Sequence, residues 1–148
     1  MPDIFLVRQP VFGTTGALMG YEIRVRDSAD GREAFARSIL SGTFDLVRGK
    51  NAAFVTFTRE QLLDPDFPLM EPASAILLLP TSMIDEPEVV EAIKKYHAAG
   101  GRVALDDMDV DVAPSESLLP YASWVRMDMR LGDLATIGPI CDRVSKDN

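Results

Sequence analysis

The sequence has 148 residues, with 15 lysines and arginines against 23 aspartates and glutamates, and a formal net charge of −8. The length is that of one ordinary domain, and the hydrophobic fraction of 47% indicates a globular chain rather than a disordered one. The acidic balance argues against nucleic acid as a partner and against docking on an anionic membrane, since both require a basic face.

The first third of the chain predicts a β-hairpin followed by a helix. Residues 4–11 and 18–25 are apolar and partly alternating, and Gly13-Thr-Thr-Gly16 between them is typical of a turn. Residues 31–48 then carry apolar side chains at close to helical spacing, which predicts one continuous helix. These side chains are Phe35, Ile39, Leu40, Phe44 and Val47.

The rest of the chain alternates between predicted strands and helices. The predicted strands are 53–57, 75–79, 103–105 and 123–127; the predicted helices are 59–63, one beginning at 85–88, and 131–144; residues 64–72 are a Pro-rich loop. Residues 75–79 form a continuous apolar run, as in strands buried on both faces of a parallel sheet. Successive strand centres lie 22, 27 and 21 residues apart, near Phe54, Ile76, Val103 and Trp124. This spacing favours strand–helix units in a parallel sheet, either open or curved into a barrel.

The predicted helix beginning at Asp85-Glu-Pro-Glu88 has clear start and stop signals. This stretch offers a capping residue, an early proline and acids in the first turn. Its apolar stripe is Val89, Ile93 and Tyr96, and Gly100-Gly101 ends it with residues that tolerate positive φ.

Secretion and membrane insertion are not indicated by any segment. The longest apolar run, 75–79, is far shorter than the roughly 20 residues of a membrane span, and the N-terminus lacks the pattern of a signal peptide. One cysteine, Cys141, excludes an internal disulfide, and one histidine, His97, excludes a His-rich metal cluster. We therefore expect a cytoplasmic protein.

Polar residues stand where the predicted parallel strands end, which is where α/β folds place their chemistry. They are Glu22, Thr56, Asp106 with Asp107, and Asp128. Carboxylates converging on one rim can hold a hard cation such as magnesium. The alternative is that each acid caps a helix, pairs with a nearby arginine or faces water.

Five short motifs, in order, resemble the EAL domains, the cyclic di-GMP phosphodiesterases. Val7-Arg-Gln-Pro-Val-Phe12 and Gly20-Tyr-Glu-Ile-Arg-Val-Arg26 look like the opening of that family. Phe54-Val-Thr-Phe-Thr-Arg-Glu60 resembles the variant in which an EAL-like domain precedes an HDOD domain in bacterial signalling proteins. Val103-Ala-Leu-Asp-Asp107 resembles the two-aspartate motif, and Val125-Arg-Met-Asp128 the lysine-containing strand.

The resemblance implies a metal site with several ligands missing. Glu22 stands at the first metal-ligand position, and Asp106 with Asp107 at the aspartate pair. Thr56 replaces an asparagine ligand, and Leu78 stands at the position of the second glutamate, where an apolar side chain cannot ligate metal. The resemblance thus implies no cofactor, or at most weakly bound Mg²⁺ at Glu22, Asp106 and Asp107.

Other family positions depart as well. Thr81 replaces an acid expected after Pro80, and Arg126 replaces the catalytic lysine, with a planar fork and fixed protonation in its place. The same resemblance implies that Arg26, on the hairpin, helps to bind the dinucleotide; the alternative is that it pairs with a nearby acid. The general base and other groups that the family takes from later strands are not expected within these 148 residues.

The resemblance also implies an α/β fold, a partial or truncated TIM-like (β/α) barrel that opens with a β-hairpin. A closed eight-stranded barrel needs about 250 residues, and 148 leave room for about five or six strands. We expect residues 1–148 to form a single truncated EAL-like domain. Its unpaired sheet edge and uncovered apolar faces favour a homodimer.

Three functions are compatible with these motifs. The first is a catalytically inactive EAL-like signalling module, not an enzyme, that contacts a protein partner or an adjacent signalling domain. The second is a receptor that binds cyclic di-GMP through Arg26 and the surviving acids without cleaving it. The third is a weak cyclic di-GMP phosphodiesterase. Dinucleotide binding separates the first two, and metal-dependent product formation identifies the third.

Overall fold

The computed structural model describes residues 5–13, 15–26, 31–65, 75–108 and 117–127, together with Ala135, Gly138, Pro139 and Asp142. For residues 26, 31–34, 107, 108 and 127 it describes the backbone alone. The strands are β1 (Phe5–Phe12), β2 (Leu18–Arg26), β3 (Ala52–Thr56), β4 (Ala75–Pro80), β5 (Arg102–Met108) and β6 (Ala122–Met127). The helices are α1 (Gly31–Leu40), α2 (Thr43–Arg48), α3 (Arg59–Leu63) and α4 (Pro87–Ala98), with short 3-10 turns at Thr81–Met83 and Leu119–Tyr121.

These strands form one six-stranded sheet in chain order, from β1 to β6. β1 and β2 pair antiparallel, from Phe5 opposite Arg26 to Val11 opposite Gly20, and the register shifts at Phe12. All the later neighbours pair parallel. The predicted hairpin and the predicted parallel strand–helix units are therefore both confirmed.

The continuous helix predicted over residues 31–48 is wrong, because the chain breaks it into α1 and α2. Gly42 adopts a left-handed conformation, with φ of 73°, and no α-helix continues through such a residue. The break lets Phe35 and Phe44 meet edge to face, with ring centroids 5.7 Å apart. Both rings are buried against the sheet.

The signals predicted for α4 largely match its ends, whereas the cap that starts α3 was not predicted. Thr58 and Gln61 form a reciprocal capping box that starts α3. α4 begins with Pro87, but its N-cap, Glu86, makes no side-chain capping hydrogen bond, so the capping contact expected within residues 85–88 is not formed. Gly100, with φ of 88°, follows the end of α4 as predicted.

β5 is longer than predicted. Asp106 and Asp107 were expected after the strand, yet both lie within it, because the parallel ladder continues past them. Pro80 of β4 pairs with Asp106, and Met108 pairs with Met127 of β6.

Three further expectations lie wholly or largely outside the described residues. The predicted helix over 131–144 is represented by four residues, all helical: Ala135, Gly138, Pro139 and Asp142. Most of the predicted loop over 64–72, and Asp128, are not among the described residues.

The sheet has an apolar cluster on each face, because side chains alternate along every strand. The helices cover the larger, outer cluster, where residues such as Leu77, Leu79, Val89 and Ile93 are almost fully buried. The inner cluster is smaller and contains Phe54, Ile76, Leu78 and Ala104, with Val11, Ala52 and Trp124 packed against it.

The inner cluster shows that the sheet is strongly curved. Phe54 of β3 and Trp124 of β6 contact edge to face, with ring centroids 6.0 Å apart, although two strands separate them. Such contacts across the concave side are typical of a barrel wall.

None of the described helices has the length and apolar character needed to cross a membrane.

Gly20 offers a test of the packing between β2 and β3. It lies opposite Ala52, and a methyl group added at Gly20 would collide with the Ala52 backbone carbonyl. Because a backbone atom of a central strand cannot yield cheaply, we expect Gly20→Ala to lower the free energy of unfolding by about 1–3 kcal/mol in urea denaturation. Gly13→Ala is the matched control, since its methyl group would press only on the flexible Met19 side chain and would meet the Ala17 carbonyl at an ordinary contact distance of 3.8 Å. Equal losses in the two variants would contradict this packing.

Candidate functional site at the carboxyl rim

The sheet brings four of the predicted site residues to one rim of its concave side. Glu22 pairs with Phe54, and Thr56 pairs with Leu78, so both share the side of the inner cluster. Asp106 and Arg126 each lie two residues beyond members of that cluster, on β5 and β6. Strand alternation therefore gathers Glu22, Thr56, Asp106 and Arg126 on the same face.

The guanidinium of Arg126 lies between the two acids and binds both. It meets Asp106 side-on: Nε donates to Oδ1, and Nη2 donates to Oδ2 at 2.5 Å. Its Nη1 donates to Oε2 of Glu22, also at 2.5 Å. A forked, two-point contact of this kind is the strongest pairing that arginine makes with a carboxylate.

A second arginine completes the network. Arg24 lies two residues after Glu22 on β2, and its Nε and Nη2 both lie 2.5 Å from Oε1 of Glu22. Consequently all four carboxylate oxygens of Glu22 and Asp106 are bound to guanidinium groups.

Burial makes this pairing necessary. Glu22 and Asp106 are each only 4% exposed, and a buried carboxylate without a partner is strongly unfavourable. Burial acts to lower the pKa of Arg126, but the hydrogen bonds and charges of Asp106 and Glu22 outweigh it and raise that pKa above its usual range. The guanidinium is therefore a permanent cation at the rim.

The position predicted to lack a glutamate ligand is part of the apolar interior. Leu78 is 2% exposed and packs in the inner cluster with Ile76 and Ala104. Thr81, another substituted position, begins the 3-10 turn after β4.

A cleft opens beside the network at the carboxyl ends of the strands. Its volume is about 750 Å³, and its lining includes Thr56, Pro80, Asp106, Arg126 and Arg24. Three of the lining residues belong to the ion-pair network: Asp106, Arg126 and Arg24. The network therefore forms a polar wall of the cleft.

The side-chain positions of three predicted site residues are not described by the structure. Arg26 lies in β2 and Asp107 in β5, where the structure describes only their backbones, and Asp128 lies outside the described residues. The dinucleotide contact of Arg26 and the metal contact of Asp107 stay predictions.

Sequence reasoning did not foresee the arginine pairing at this rim as a specific contact. Pairing with arginine was one alternative for the strand-end acids, without a named partner. The available signal was spacing: Arg24 follows Glu22 by two residues, which puts both on one side of a strand. The partnership of Arg126 with Glu22 joins residues 104 apart and has no such local signal.

The donor set was tested against a divalent metal, which prefers several oxygen ligands of net negative charge. Among the described residues no group of three or more histidine, cysteine, aspartate or glutamate side chains comes together at a possible metal site. The two acids that do meet are already matched in charge by two arginines. As they are paired in the described part of the rim, Glu22 and Asp106 do not fit a bound divalent metal.

Solved structures of similar shape identify the architecture. The phosphodiesterase PaMucR, in a complex with c-di-GMP, matches with a TM-score of 0.67 and 16% identity, over 98% of this chain and 81% of that one. The chain has an EAL-like fold. The predicted partial TIM-like barrel that opens with a hairpin is thereby confirmed.

Two other solved structures agree. The S helix-GGDEF-EAL protein Vibrio cholerae LapD, bound to c-di-GMP, matches with a TM-score of 0.66 and 11% identity over 95% of this chain. The cGMP-bound EAL enzyme Bd1971 matches with a TM-score of 0.62 and 12% identity over 97% of this chain. The EAL-like chain spans 44% and 52% of those two chains, about half of each. No protein-family profile matches the sequence, and no curated protein matches it.

The apolar character of the Leu78 position can be tested directly. We expect Leu78→Glu to lower the free energy of unfolding by at least about 3 kcal/mol, because the carboxylate would enter the apolar inner cluster. Addition of Mg²⁺ should not recover this loss. Urea denaturation with and without Mg²⁺ measures both effects.

Leu78→Met is the matched control, since it preserves volume and apolarity and should cost less than about 1.5 kcal/mol. A Leu78→Glu protein as stable as the Leu78→Met protein would place position 78 in a polar site instead.

Proposed function

We propose that this chain is an EAL-like module of cyclic di-GMP signalling that does not hydrolyse the dinucleotide and acts through protein contacts. The observation that carries the proposal is the arginine network: the two acids at the rim, Glu22 and Asp106, have every carboxylate oxygen bound to Arg126 or Arg24.

The chemistry of phosphodiester cleavage supports this proposal. Metal-assisted hydrolysis needs an ion that activates water and offsets charge on the phosphate. Arginine can offset charge, but it cannot lower the pKa of a water molecule by coordination. Thr56 and buried Leu78 stand where the resemblance expects further ligands, which leaves the rim poor in metal donors.

Exposed apolar side chains support a role in protein contacts. Several large ones stand on the hairpin and on the first two helices, and they are Phe5, Val7, Phe12, Leu18, Met19, Leu40 and Leu46. Large apolar side chains that are exposed in one region of a fold are candidates for an interaction surface. The partner that we propose is another protein or an adjacent signalling domain of the HDOD type, in the cytoplasm.

The second candidate function is a non-hydrolysing receptor for cyclic di-GMP. The cleft of about 750 Å³ favours it, because Arg126 and Arg24 line that cleft and present cations to a phosphodiester. Arg26 is the further contact that the resemblance implies. Bound c-di-GMP in the PaMucR and LapD structures supports this ligand class as a proposal for this chain.

We expect no linear product when the protein is incubated with cyclic di-GMP and either Mg²⁺ or Mn²⁺. Chromatographic separation of linear and cyclic dinucleotide measures this, with an active EAL phosphodiesterase as the positive control. Product that is lost in an Asp106→Asn variant would overturn the proposal and identify a weak phosphodiesterase.

Calorimetric titration of the same sample with cyclic di-GMP separates the two remaining functions. No heat of binding is the expected result for a module that acts through protein contacts alone. Binding without product would make the chain a receptor, and Arg26→Ala should then weaken that binding at least about tenfold, as expected for the loss of a charged hydrogen bond.

The homodimer that we propose for the unpaired edge is tested by sedimentation velocity. β1 is one edge strand of the described sheet, its backbone can pair with a second copy, and the side chain of Val7 on it is exposed. We expect Val7→Lys to shift the protein towards monomer, because a lysine on an edge strand opposes further strand pairing. Ala98→Lys, an equal change in charge at an exposed position of α4, should leave the sedimentation coefficient unchanged.

A further inference from the structure

We infer that the guanidinium of Arg126 takes the place of a metal ion between the two buried acids, Glu22 and Asp106, and excludes divalent metal from them. By the same contacts it connects β2 to β5 and β6 across the concave side of the sheet. This inference concerns the charge balance of the fold. It does not rest on the proposed function.

The first support is the position of the charge. Two carboxylates that are each 4% exposed converge on one guanidinium, which donates to both. Buried like charges need a cation or a proton between them. In many proteins a metal ion supplies that cation, whereas here the chain supplies its own.

The second support is the span of the contact. Arg126 lies on β6 and Glu22 on β2, and β3, β4 and β5 separate these strands in the sheet. The bond therefore crosses the concave side of the sheet rather than following a strand ladder. It fixes the curvature at the carboxyl rim, as the contact of Phe54 with Trp124 does deeper in the concave side.

The third support is saturation of the acids. Asp106 gives both oxygens to Arg126, and Glu22 gives one to Arg126 and one to Arg24. A divalent ion entering this network would have to displace a guanidinium or approach two cations at close range. Removal of Arg126 leaves two buried carboxylates that lack their shared cation, and a divalent ion can then replace it.

The test compares melting temperatures in EDTA and in millimolar Mn²⁺. We expect the unaltered protein to melt at the same temperature in both. Arg126→Gln should melt about 10 °C lower in EDTA, because it leaves buried acids unpaired, and Mn²⁺ should then recover about 3–5 °C. Arg126→Met repeats the test with an apolar side chain of similar length.

Three controls sharpen this comparison. Arg126→Lys keeps a cation and should not respond to Mn²⁺. Arg24→Gln removes the more exposed arginine and should also remain unresponsive, since Arg126 stays in place. In Arg126→Gln combined with Asp106→Asn, the recovery by Mn²⁺ should disappear.

Two results would overturn the inference. One is a rise in the melting temperature of the unaltered protein with Mn²⁺, which would mean that metal displaces Arg126. The other is a failure of Mn²⁺ to stabilise both Arg126→Gln and Arg126→Met. A variant that is unfolded in EDTA and folds when Mn²⁺ is added supports the inference, and circular dichroism detects that change.

Discussion

The ion-pair network around Arg126 is the interaction on which the carboxyl rim depends. Two acids from different strands are buried on the concave side of the sheet, where they are tolerable only with a matching cation. Arg126 provides this cation from the last described strand and so joins β2, β5 and β6. The same arginine therefore both neutralises the acids of the rim and holds the curved strands together.

The apolar interior and the polar rim are also linked. Leu78 and Phe54 fill the concave side just below the network, and Trp124 reaches across from β6 to pack on Phe54. Arg126 follows Trp124 by two residues, so both side chains lie on the concave face of β6. An apolar layer beneath the rim also raises the strength of the ion pairs above it, since less water screens them.

Much of the architecture follows from local patterns in the chain. Alternation in β1 and β2, the apolar run of β4, and the early proline and closing glycines of α4 each have a short-range cause, and each predicts its element closely. The prediction fails at Gly42, where one residue with positive φ divides the helix, because the spacing of apolar residues does not show which glycine adopts a left-handed conformation. It fails again at Asp106 and Asp107, because the length of β5 is set by its neighbours, β4 and β6.

The sequence itself sets the order of the strands and, through their period of two, which side chains share a face: Arg24 lies on the side of Glu22, and Arg126 on the side of Trp124. Only the folded chain brings Glu22 and Asp106 together on Arg126, because Arg126 lies 104 residues from Glu22 and 20 residues from Asp106 along the sequence. The physical reason is that curvature of the sheet, a collective result of packing on both faces, brings β2 and β6 within reach of one side chain.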